Sequence, residues 1–343
     1  MVFLKIIVLA GGKSSEREVS MTSGSKIANA LISKGYKVLL VDLLIGIPVY
    51  KSFDDAYENY RTDCYEYDVS ETIPNYEQYS GSEIGTNVLE ICKSADITFF
   101  ALHGGIGENG KLQAIFDVYD IKYTGSSYQS SLLAMDKVIS KELMRFHGIP
   151  TAEWTVVSKL EQSKEIELPV VVKPVDSGSS IGISLVETEY ELKNAIQEAF
   201  NYSHDSRVLV EKRIDGREFS IGVLGNKVLP AIELIPKAGF YDYQNKYQKG
   251  RTDEIVPAQI DAELADRMKE LTHRTHQMLG LSVYSRTDFL VDKNNNIFVI
   301  EVNSLPGMTP TSLLPQEAKA VGINFEDLCE QIVRDSLRKY GNA

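Results

Sequence analysis

Three unbroken apolar runs in the first third of the chain have the pattern of buried parallel strands. They are Lys5–Ala10, Lys37–Asp42 and Asp96–Leu102. Runs without polar alternation are typical of strands that are covered on both faces. The first run leads into a glycine-rich loop and then a segment of helical periodicity through Leu31. Strand, loop, helix and second strand together predict a βαβ unit.

The second half of the chain alternates between shorter apolar runs and amphipathic segments. Phe289–Val291 and Ile297–Val302 are β-branched runs separated by the turn-forming residues Asp292–Asn296, which predicts a β-hairpin. Apolar residues at helical spacing predict two helices, and Gly280 is the stop signal of the first. The further strands predicted here are Leu168–Pro174 and Val208–Ile214, and the helices are Asp261–Leu279 and Phe325–Arg338.

Residues 48–85 lack this clean periodicity and are rich in tyrosine, among acidic residues, Ser and Asn. We expect a loop-rich insertion in the first domain. Because tyrosine offers apolar area with a polar tip, the segment suits an interface. A surface excursion whose rings pack on one another remains an equal alternative. The tyrosines are Tyr50, Tyr57, Tyr60, Tyr65, Tyr67, Tyr76 and Tyr79.

Composition narrows the class of protein. The 343 residues, 43% hydrophobic and 24% charged, suit a globular chain of two or three domains. A net charge of −12 argues against nucleic acid or an acidic membrane surface as the main partner. Cys64, Cys92 and Cys329 have no zinc or disulfide spacing, which favours a reducing cytoplasm. The apolar run Val2–Ala10 is too short to span a bilayer.

Oxygen-bearing side chains mark the predicted hairpin as a candidate metal site. Asp288 enters its first strand, and Glu301 and Asn303 share one face of the second because side chains alternate along a strand. Two carboxylates and an amide oxygen suit a hard cation such as magnesium. The alternative is that both acids are solvated strand-end residues. The polar turn that follows ends at Gly307, where a backbone N–H can approach a substrate closely.

Two glycine-rich loops carry further chemistry. The loop Gly11–Ser20 lacks the G-x-G-x-x-G of a dinucleotide site, and its acid Glu16 suits an ammonium group better than a pyrophosphate. A helix-start acid favoured by the helix dipole is the alternative for Glu16. The second loop, Asp176–Ile183, follows Lys173 and is rich in Ser and Gly, so its N–H groups and hydroxyls suit phosphate oxygens. It lies between strands, unlike a P-loop.

Several motifs resemble those of the D-alanine–D-alanine ligases of the ATP-grasp superfamily. They are GGKSSEREVS from Gly11, the K-P-x-x-x-G-S-S-x-G segment from Lys173, Arg286-x-Asp288, Glu301-x-Asn303 and Pro306–Thr309. The resemblance runs from Gly11 to Leu313, with residues 48–85 as the gap. It implies an α/β ATP-grasp fold, in which an N-terminal parallel-sheet, Rossmann-like domain precedes two α+β domains that clasp ATP. The expected boundaries are 1–124, 125–211 and 212–343.

The resemblance also implies roles for individual residues. The catalytic residues are expected to be Glu16, Ser179, Tyr247, Arg286 and Gly307. The ATP-binding residues are expected to be Lys137, Lys173, Ser179, Glu211, Lys212, Ile214, Glu218 and Lys246, where Glu211, Lys212 and Ile214 form the adenine hinge and Glu218 contacts the ribose. The residues expected to bind the amino-acid substrates are Glu16, His103, Arg286, Gly307, Ser312 and Leu313. The metal ligands are expected to be Asp288, Glu301 and Asn303.

The implied activity is ATP-dependent ligation of two D-alanines through a D-alanyl phosphate, for peptidoglycan precursor synthesis in the cytoplasm. Two magnesium ions are expected, with manganese as a substitute, and the family resemblance implies a homodimer. A ligase of the same fold that uses D-lactate or D-serine is the nearest alternative, and Tyr247 on a predicted lid favours an amine over lactate. The missing G-x-G-x-x-G opposes an oxidoreductase. Intact Arg286, Asp288, Glu301 and Asn303 oppose a silent nucleotide-binding module.

Overall fold

A computed structural model describes residues 4–67, 81–160, 166–178, 180–203, 205–237, 239 and 250–341. The strands are β1 Lys5–Ala10, β2 Lys37–Asp42, β3 Ile97–Phe100, β4 Trp154–Val157, β5 Val170–Pro174, β6 Ser184–Val186, β7 Val208–Lys212, β8 Gly216–Leu224, β9 Lys227–Val228, β10 Ile232–Pro236, β11 Thr252–Ile255, β12 Tyr284–Asp292 and β13 Ile297–Asn303. The helices are α1 Arg17–Ser33, α2 Phe53–Tyr60, α3 Val88–Ser94, α4 Gly105–Glu108, α5 Lys111–Val118, α6 Tyr128–Met135, α7 Lys137–Phe146, α8 Glu189–Tyr202, α9 Ala262–Met278, α10 Leu313–Ala320 and α11 Phe325–Lys339.

The three apolar runs of the N-terminal part form a parallel sheet in the order β2-β1-β3. Residues 6–10 of its central strand are fully buried, because helices cover the sheet. The βαβ prediction is therefore confirmed. The third strand is shorter than its apolar run, and the glycine-rich loop after it folds into the short helix α4. The carboxyl ends of β1 and β3 lead into neighbouring loops.

A four-stranded antiparallel sheet, β4-β7-β5-β6, follows in the chain. Helix α8 packs on it through Leu192, Ile196 and Ala199. Thr188 starts this helix with a capping box, in which the side chains of Thr188 and Glu191 each accept a backbone N–H of the first turn. The sheet holds Lys173 and Glu211 on adjacent strands, β5 and β7.

The third sheet has the order β11-β10-β8-β12-β13, with β9 paired to β8. The predicted hairpin is its β12–β13 pair, although β12 begins at Tyr284, earlier than the apolar run. Asp288 lies opposite Glu301 in this register, and a β-bulge follows between Asp288 and Phe289. Helix α9 packs against β8 and β12 and ends before Gly280, as predicted.

The last helix, α11, returns to the beginning of the chain. Its residues Leu328 and Ile332 belong to the same buried core as the N-terminal sheet. The Tyr36 hydroxyl donates a 2.7 Å hydrogen bond to Glu330, and Lys34 forms an ion pair with Asp327. The three sheets occupy successive parts of the chain, 5–100, 154–212 and 216–303, whereas this core combines both ends. The domain boundaries given above remain a prediction.

The tyrosine-rich segment contains more regular structure than its sequence pattern indicates. Phe53–Tyr60 is a helix whose Phe53 is fully buried, so the loop-rich prediction was wrong for this part. Phe53 stacks on Tyr57 with ring centroids 5.5 Å apart, and Tyr50 meets Tyr60 edge-on at 5.6 Å. These contacts favour rings packed on one another. Residues 68–80, with Tyr76 and Tyr79, lie outside the described residues.

None of the helices in the described ranges has both the length and the apolar character that a membrane span requires.

Candidate active site

Glu16 lies where two separate loops meet the end of β1. It occupies the N-cap position of α1, but its side chain makes no capping hydrogen bond. A Cβ on Gly104 would lie 2.7 Å from Glu16 Oε2, and a Cβ on Gly178 would lie 3.3 Å from the same oxygen. Glu16 is 6% exposed. Glu16 is therefore turned towards the crevice between the loops, which favours the ligand-binding interpretation over a helix-start acid.

His103 lies in the same crevice, directly after the strand region of β3. It is buried, and neither ring nitrogen has a hydrogen-bond partner within the described part of the chain. Burial lowers the pKa of His103, and the nearby Arg286 charge acts in the same direction against the charge of Glu16. A backbone group of Ala101 acts on the ring as well, against the lowering of the pKa. A buried imidazole without well-formed hydrogen bonds is costly unless a ligand satisfies it. The geometry supports the predicted substrate contact.

Glu108 is a crevice residue that the sequence analysis did not single out. Burial and the neighbouring Glu16 charge raise the pKa of Glu108 to about 8, although Arg286 and Lys137 oppose the shift. A Cβ on Gly178 would lie 4.0 Å from Glu108 Oε2. The available signal was an acid in a glycine-rich loop after a strand, the same signal that marked Glu16.

The β12–β13 pair carries the predicted metal ligands and is called the metal hairpin below. It places its polar groups on one face. Arg286 donates to Asp288 through Nε at 2.8 Å and Nη2 at 2.7 Å. Asp288 also accepts from Ser220 at 2.7 Å and from the Asn303 amide at 3.1 Å. Asp288 is only 6% exposed, so it is not a solvated strand-end residue. Glu301 lies directly opposite it.

The donor set of this face fits magnesium. It offers two carboxylates and one amide oxygen, all hard oxygen ligands. Within the described ranges there is no group of three or more His, Cys, Asp or Glu side chains arranged for a metal. The oxygen ligands of the hairpin suit a hard cation and leave room for the phosphate and water ligands that magnesium prefers.

Lys137 connects the metal hairpin with the Ser- and Gly-rich loop. Its Nζ donates to the Ser177 carbonyl at 2.5 Å and lies 3.9 Å from Glu301 Oε2. The preceding residue, Asp136, is the N-cap of α7 and accepts the N–H groups of Val138 and Ile139. A small cavity of about 30 Å³ lies among these groups. It is lined by Glu108, Ala134, Met135, Lys137, Ser177, Gly178, Glu301, Val302, Asn303 and Ser304.

The predicted adenine hinge lies at the end of β7. Glu211 is buried and its carboxylate is held by Lys173 at 2.5 Å and by Lys141 at 2.8 Å. Burial alone would raise the pKa of Glu211, but the charges of the two lysines lower it below its usual value. Beside the exposed Lys212 lies a wide cavity of about 810 Å³, which Trp154 also lines. Lys141 was not predicted from the sequence.

Two further predicted nucleotide residues border this region. Ile214 lies in the short connection between β7 and β8 and is half-buried. Glu218 lies on β8, opposite Leu234 and Leu290 in the two neighbouring strands, and is also half-buried. Lys246, Tyr247 and Ser179 lie outside the described residues, so their roles remain predictions.

The turn after the hairpin brings Gly307 and Ser312 together. A Cβ on Gly307 would lie 3.1 Å from Ser312 Oγ and 3.6 Å from His103 Nε2. Ser312 Oγ accepts the Thr309 N–H at 3.0 Å, and Ser312 is the N-cap of α10 without making a side-chain cap. Leu313 is the first residue of this helix, whose N–H groups suit a carboxylate.

Comparison with known proteins assigns the N-terminal and the C-terminal part of the chain to one family of enzymes. The family described as "D-ala D-ala ligase N-terminus" matches residues 5–126, and "D-ala D-ala ligase C-terminus" matches residues 142–334. A D-alanine–D-alanine ligase of Pediococcus pentosaceus is 44% identical, covering 98% of this chain and 99% of that protein. One from Lacticaseibacillus casei is 41% identical, covering 99% and 98%.

Solved structures agree with these sequence matches. A D-alanine–D-alanine ligase from Bacillus anthracis superposes with a TM-score of 0.74 at 31% identity, covering 98% of this chain and 99% of that one. The same enzyme complexed with ATP also gives 0.74, at 30% identity and the same coverage. A ligase from Coxiella burnetii gives 0.77 at 27% identity, covering 99% and 95%. The predicted ATP-grasp fold class is confirmed.

Proposed function

Because this chain belongs to the D-alanine–D-alanine ligase family, we propose that it uses ATP to join two D-alanines into D-alanyl-D-alanine, with release of ADP and phosphate. The observation that carries the proposal is the meeting of three groups at one crevice. Glu16, suited to an ammonium, borders Gly178 of the Ser- and Gly-rich loop Asp176–Ile183, the phosphate-type loop. Lys137 links that loop to Glu301 of the metal hairpin. An amino acid, a phosphate chain and a metal can therefore meet there.

The chemistry begins with a carboxylate, which is a poor electrophile at neutral pH. In the proposed reaction Glu16 binds the ammonium of the first D-alanine. A carboxylate oxygen of that D-alanine attacks the γ-phosphorus of ATP, the bond from this phosphorus to the β,γ-bridging oxygen breaks, and ADP leaves with that oxygen. Lys137, Lys173 and Lys246 offset the phosphate charge, and Ser179 and Tyr247 join Glu16 in closing the site. Glu211, Lys212, Ile214 and Glu218 hold adenosine. Positioning and charge stabilisation supply most of the catalysis in such phosphoryl transfers.

The second D-alanine is held by its own carboxylate. Ser312 and the Leu313 N–H at the start of α10 bind that group, which leaves the amine to attack the acyl phosphate carbon. The bond from carbon to the bridging oxygen then breaks, phosphate leaves with that oxygen, and the amine proton is lost. Arg286 and the Gly307 N–H stabilise the oxyanion of the tetrahedral intermediate. His103 lies beside both Glu16 and Gly307 and contacts the first substrate.

Asp288, Glu301 and Asn303 would hold the magnesium ions, two in the proposed enzyme. Bound magnesium neutralises phosphate charge and orients the transferred group. Arg286, Ser220 and Asn303 hold Asp288 in place, so the protein itself orients this proposed ligand.

The family and the cysteines support the proposed cellular setting. Cys64, Cys92 and Cys329 are free thiols, which supports a reducing cytoplasm. The product would serve peptidoglycan precursor synthesis, and a homodimer is expected from the family resemblance. D-Lactate or D-serine as the second substrate is the competing proposal. Tyr247 and the relatives' names support D-alanine instead.

The proposal is tested by measuring phosphate release from ATP and magnesium with D-alanine, with L-alanine, and with D-alanine plus D-lactate. We expect release that depends on D-alanine and is absent with L-alanine, with the dipeptide as the only ligation product by mass. A mixed ester from D-lactate would keep the ATP chemistry and refute the second substrate. No release with any of these amino acids would refute the proposed function.

A further inference from the structure

Lys141 is a cation in the nucleotide-binding part of the molecule to which the reaction above gives no role. It is 1% exposed, and it follows Lys137 by four residues on α7, so both side chains lie on one face of that helix. Lys137 extends to the phosphate-type loop, and Lys141 extends to Glu211. A buried ammonium is costly unless it is paired. Its partners therefore indicate what it does.

The contacts of Lys141 connect three parts of the site. Its Nζ lies 2.8 Å from Glu211 Oε1 on β7 and donates to Thr151 Oγ1 at 2.6 Å. Thr151 in turn donates to the Val299 carbonyl on β13 at 2.8 Å, two residues before Glu301. The ammonium also lies 5.0 Å from the centre of the Trp154 ring. Lys141 thus has one anionic partner among these contacts, the carboxylate of Glu211.

The Glu211 carboxylate pairs with two lysines, of which only one has a phosphate-binding role in the proposed reaction. Its Oε2 lies 2.5 Å from Lys173, which stands at the end of β5 before the phosphate-type loop. In the proposed reaction Lys173 moves to a phosphate, so its contact with Glu211 weakens when ATP binds. Lys141 is held by further protein groups, the hydroxyl of Thr151 and the ring of Trp154. One cation of the pair is therefore permanent and the other is exchangeable.

We propose that Lys141 is a positioning residue for nucleotide selection, which fixes the Glu211 carboxylate as an acceptor facing the 6-amino group of adenine. The inference rests on the proposed function, in which Glu211 belongs to the adenine hinge. An ionised carboxylate accepts hydrogen bonds from a 6-amino group and repels the 6-oxo group of hypoxanthine. Lys141 would therefore favour 6-aminopurine over 6-oxopurine nucleotides without touching either.

The test is the binding of ADP and IDP to the full-length protein by calorimetry, for the wild type and Lys141→Met. We expect the variant to bind ADP about tenfold to a hundredfold more weakly, the usual cost of a charged hydrogen bond, and IDP almost as well as the wild type. The ADP-over-IDP ratio therefore falls. Glu142→Gln is the control, because Glu142 is an exposed residue of the same helix and its loss should leave the ratio unchanged.

A double-mutant cycle separates positioning from general damage. Glu211→Gln should lower the same ratio by itself, and adding Lys141→Met to it should lower the ratio no further, because the carboxylate that Lys141 fixes is gone. A wild-type ratio in Lys141→Met, or effects of the two substitutions that multiply, would overturn the inference. A melting curve establishes that each variant is folded.

Should Lys141→Met fail to fold, Thr151→Val releases Lys141 from one side and is expected to lower the ratio about threefold to tenfold. An unchanged ratio in that variant would overturn the inference. Because nucleotide binding needs no D-alanine, a wild type that prefers ADP but makes no dipeptide would count against the ligase reaction alone. A wild type that binds ADP and IDP equally would overturn the role of Lys141.

Discussion

Arg286 makes a two-pronged contact with Asp288, from Nε at 2.8 Å and from Nη2 at 2.7 Å. The contact joins the proposed oxyanion-binding residue to a proposed metal ligand two positions away on the same strand, β12. Two parallel hydrogen bonds of this kind fix the orientation of the planar guanidinium, in addition to the attraction between the opposite charges. The carboxylate thereby keeps Arg286 in place before any substrate binds.

Removing this guanidinium should affect the chemical step more than ATP binding. We expect Arg286→Ala to lose about a hundred- to a thousandfold in kcat, the usual effect of deleting an oxyanion donor, while the Kd for ATP stays within a few-fold. Arg286→Lys is the informative companion, because it keeps the charge and loses the fork. Steady-state rates and ATP calorimetry measure the two effects. A near-normal kcat for Arg286→Ala would remove this residue from the mechanism.

Glu301→Gln should raise the magnesium concentration that gives half-maximal activity. Replacing one of two carboxylates by a neutral amide removes a charge from a hard-cation site, and we expect a shift of at least about tenfold, comparable with the loss of a metal's supporting partners. A magnesium titration of the ligation rate measures it. Glu270→Gln, an exposed carboxylate on α9, serves as the control. Equal midpoints in the two variants would exclude Glu301 as a ligand.

Glu16→Gln should weaken the first D-alanine specifically. The side chain keeps its shape but loses the charge that would pair with an ammonium, so the KM for the first D-alanine should rise about tenfold to a hundredfold at unchanged KM for ATP. Glu18→Gln is the control, which shows whether any loss of a carboxylate from this loop has the same effect. That acid lies two residues on but accepts from the Tyr67 hydroxyl at 2.7 Å. If both variants changed the KM for D-alanine equally, the ammonium-binding role would be lost.

His276 gives a prediction that concerns stability rather than catalysis. Burial lowers its pKa to about 4, and the nearby His273 charge adds to the shift, while Nδ1 lies 2.7 Å from Ser285 Oγ. The unfolded chain takes up a proton near pH 6.5, whereas the folded one does not until about pH 4. The stabilisation is therefore complete above pH 6.5 and is lost as the pH falls towards 4, by about 3 kcal/mol.

The measurement is the free energy of unfolding of the wild type and of His276→Gln at several pH values between 4 and 7.5. Acid destabilises both proteins through other groups, so the difference between them is the readout. The variant should lose less stability than the wild type on going from pH 7 to pH 4.5. A constant difference across that range would show that His276 does not titrate as described.

Local patterns predicted the parts of this molecule that depend on neighbours in sequence. Unbroken apolar runs gave the parallel strands, and period two gave the common face of Glu301 and Asn303. The helix Phe53–Tyr60 was missed because only Phe53 and Ala56 mark its buried face, too few for a clear period. Ser52 as its N-cap was the available signal.

Contacts between distant segments could not be predicted in this way. Lys141 and Glu211 are 70 positions apart, and only the packing of α7 against β7 makes them an ion pair. The raised pKa of Glu108 depends on Glu16 from another loop, and the return of α11 to α1 depends on the whole intervening chain. From the sequence alone, a lysine within a helix is expected to lie on the surface, because its distant partner is not known.

The central claim is that this crevice activates the carboxylate of one D-alanine as an acyl phosphate and joins it to the amine of another. D-Alanine labelled with oxygen-18 in both carboxylate positions tests it directly, with ATP and magnesium, by mass analysis of the products. The account predicts one labelled oxygen in the released phosphate for each D-alanyl-D-alanine formed. Phosphate without label, or labelled phosphate without dipeptide, would contradict it.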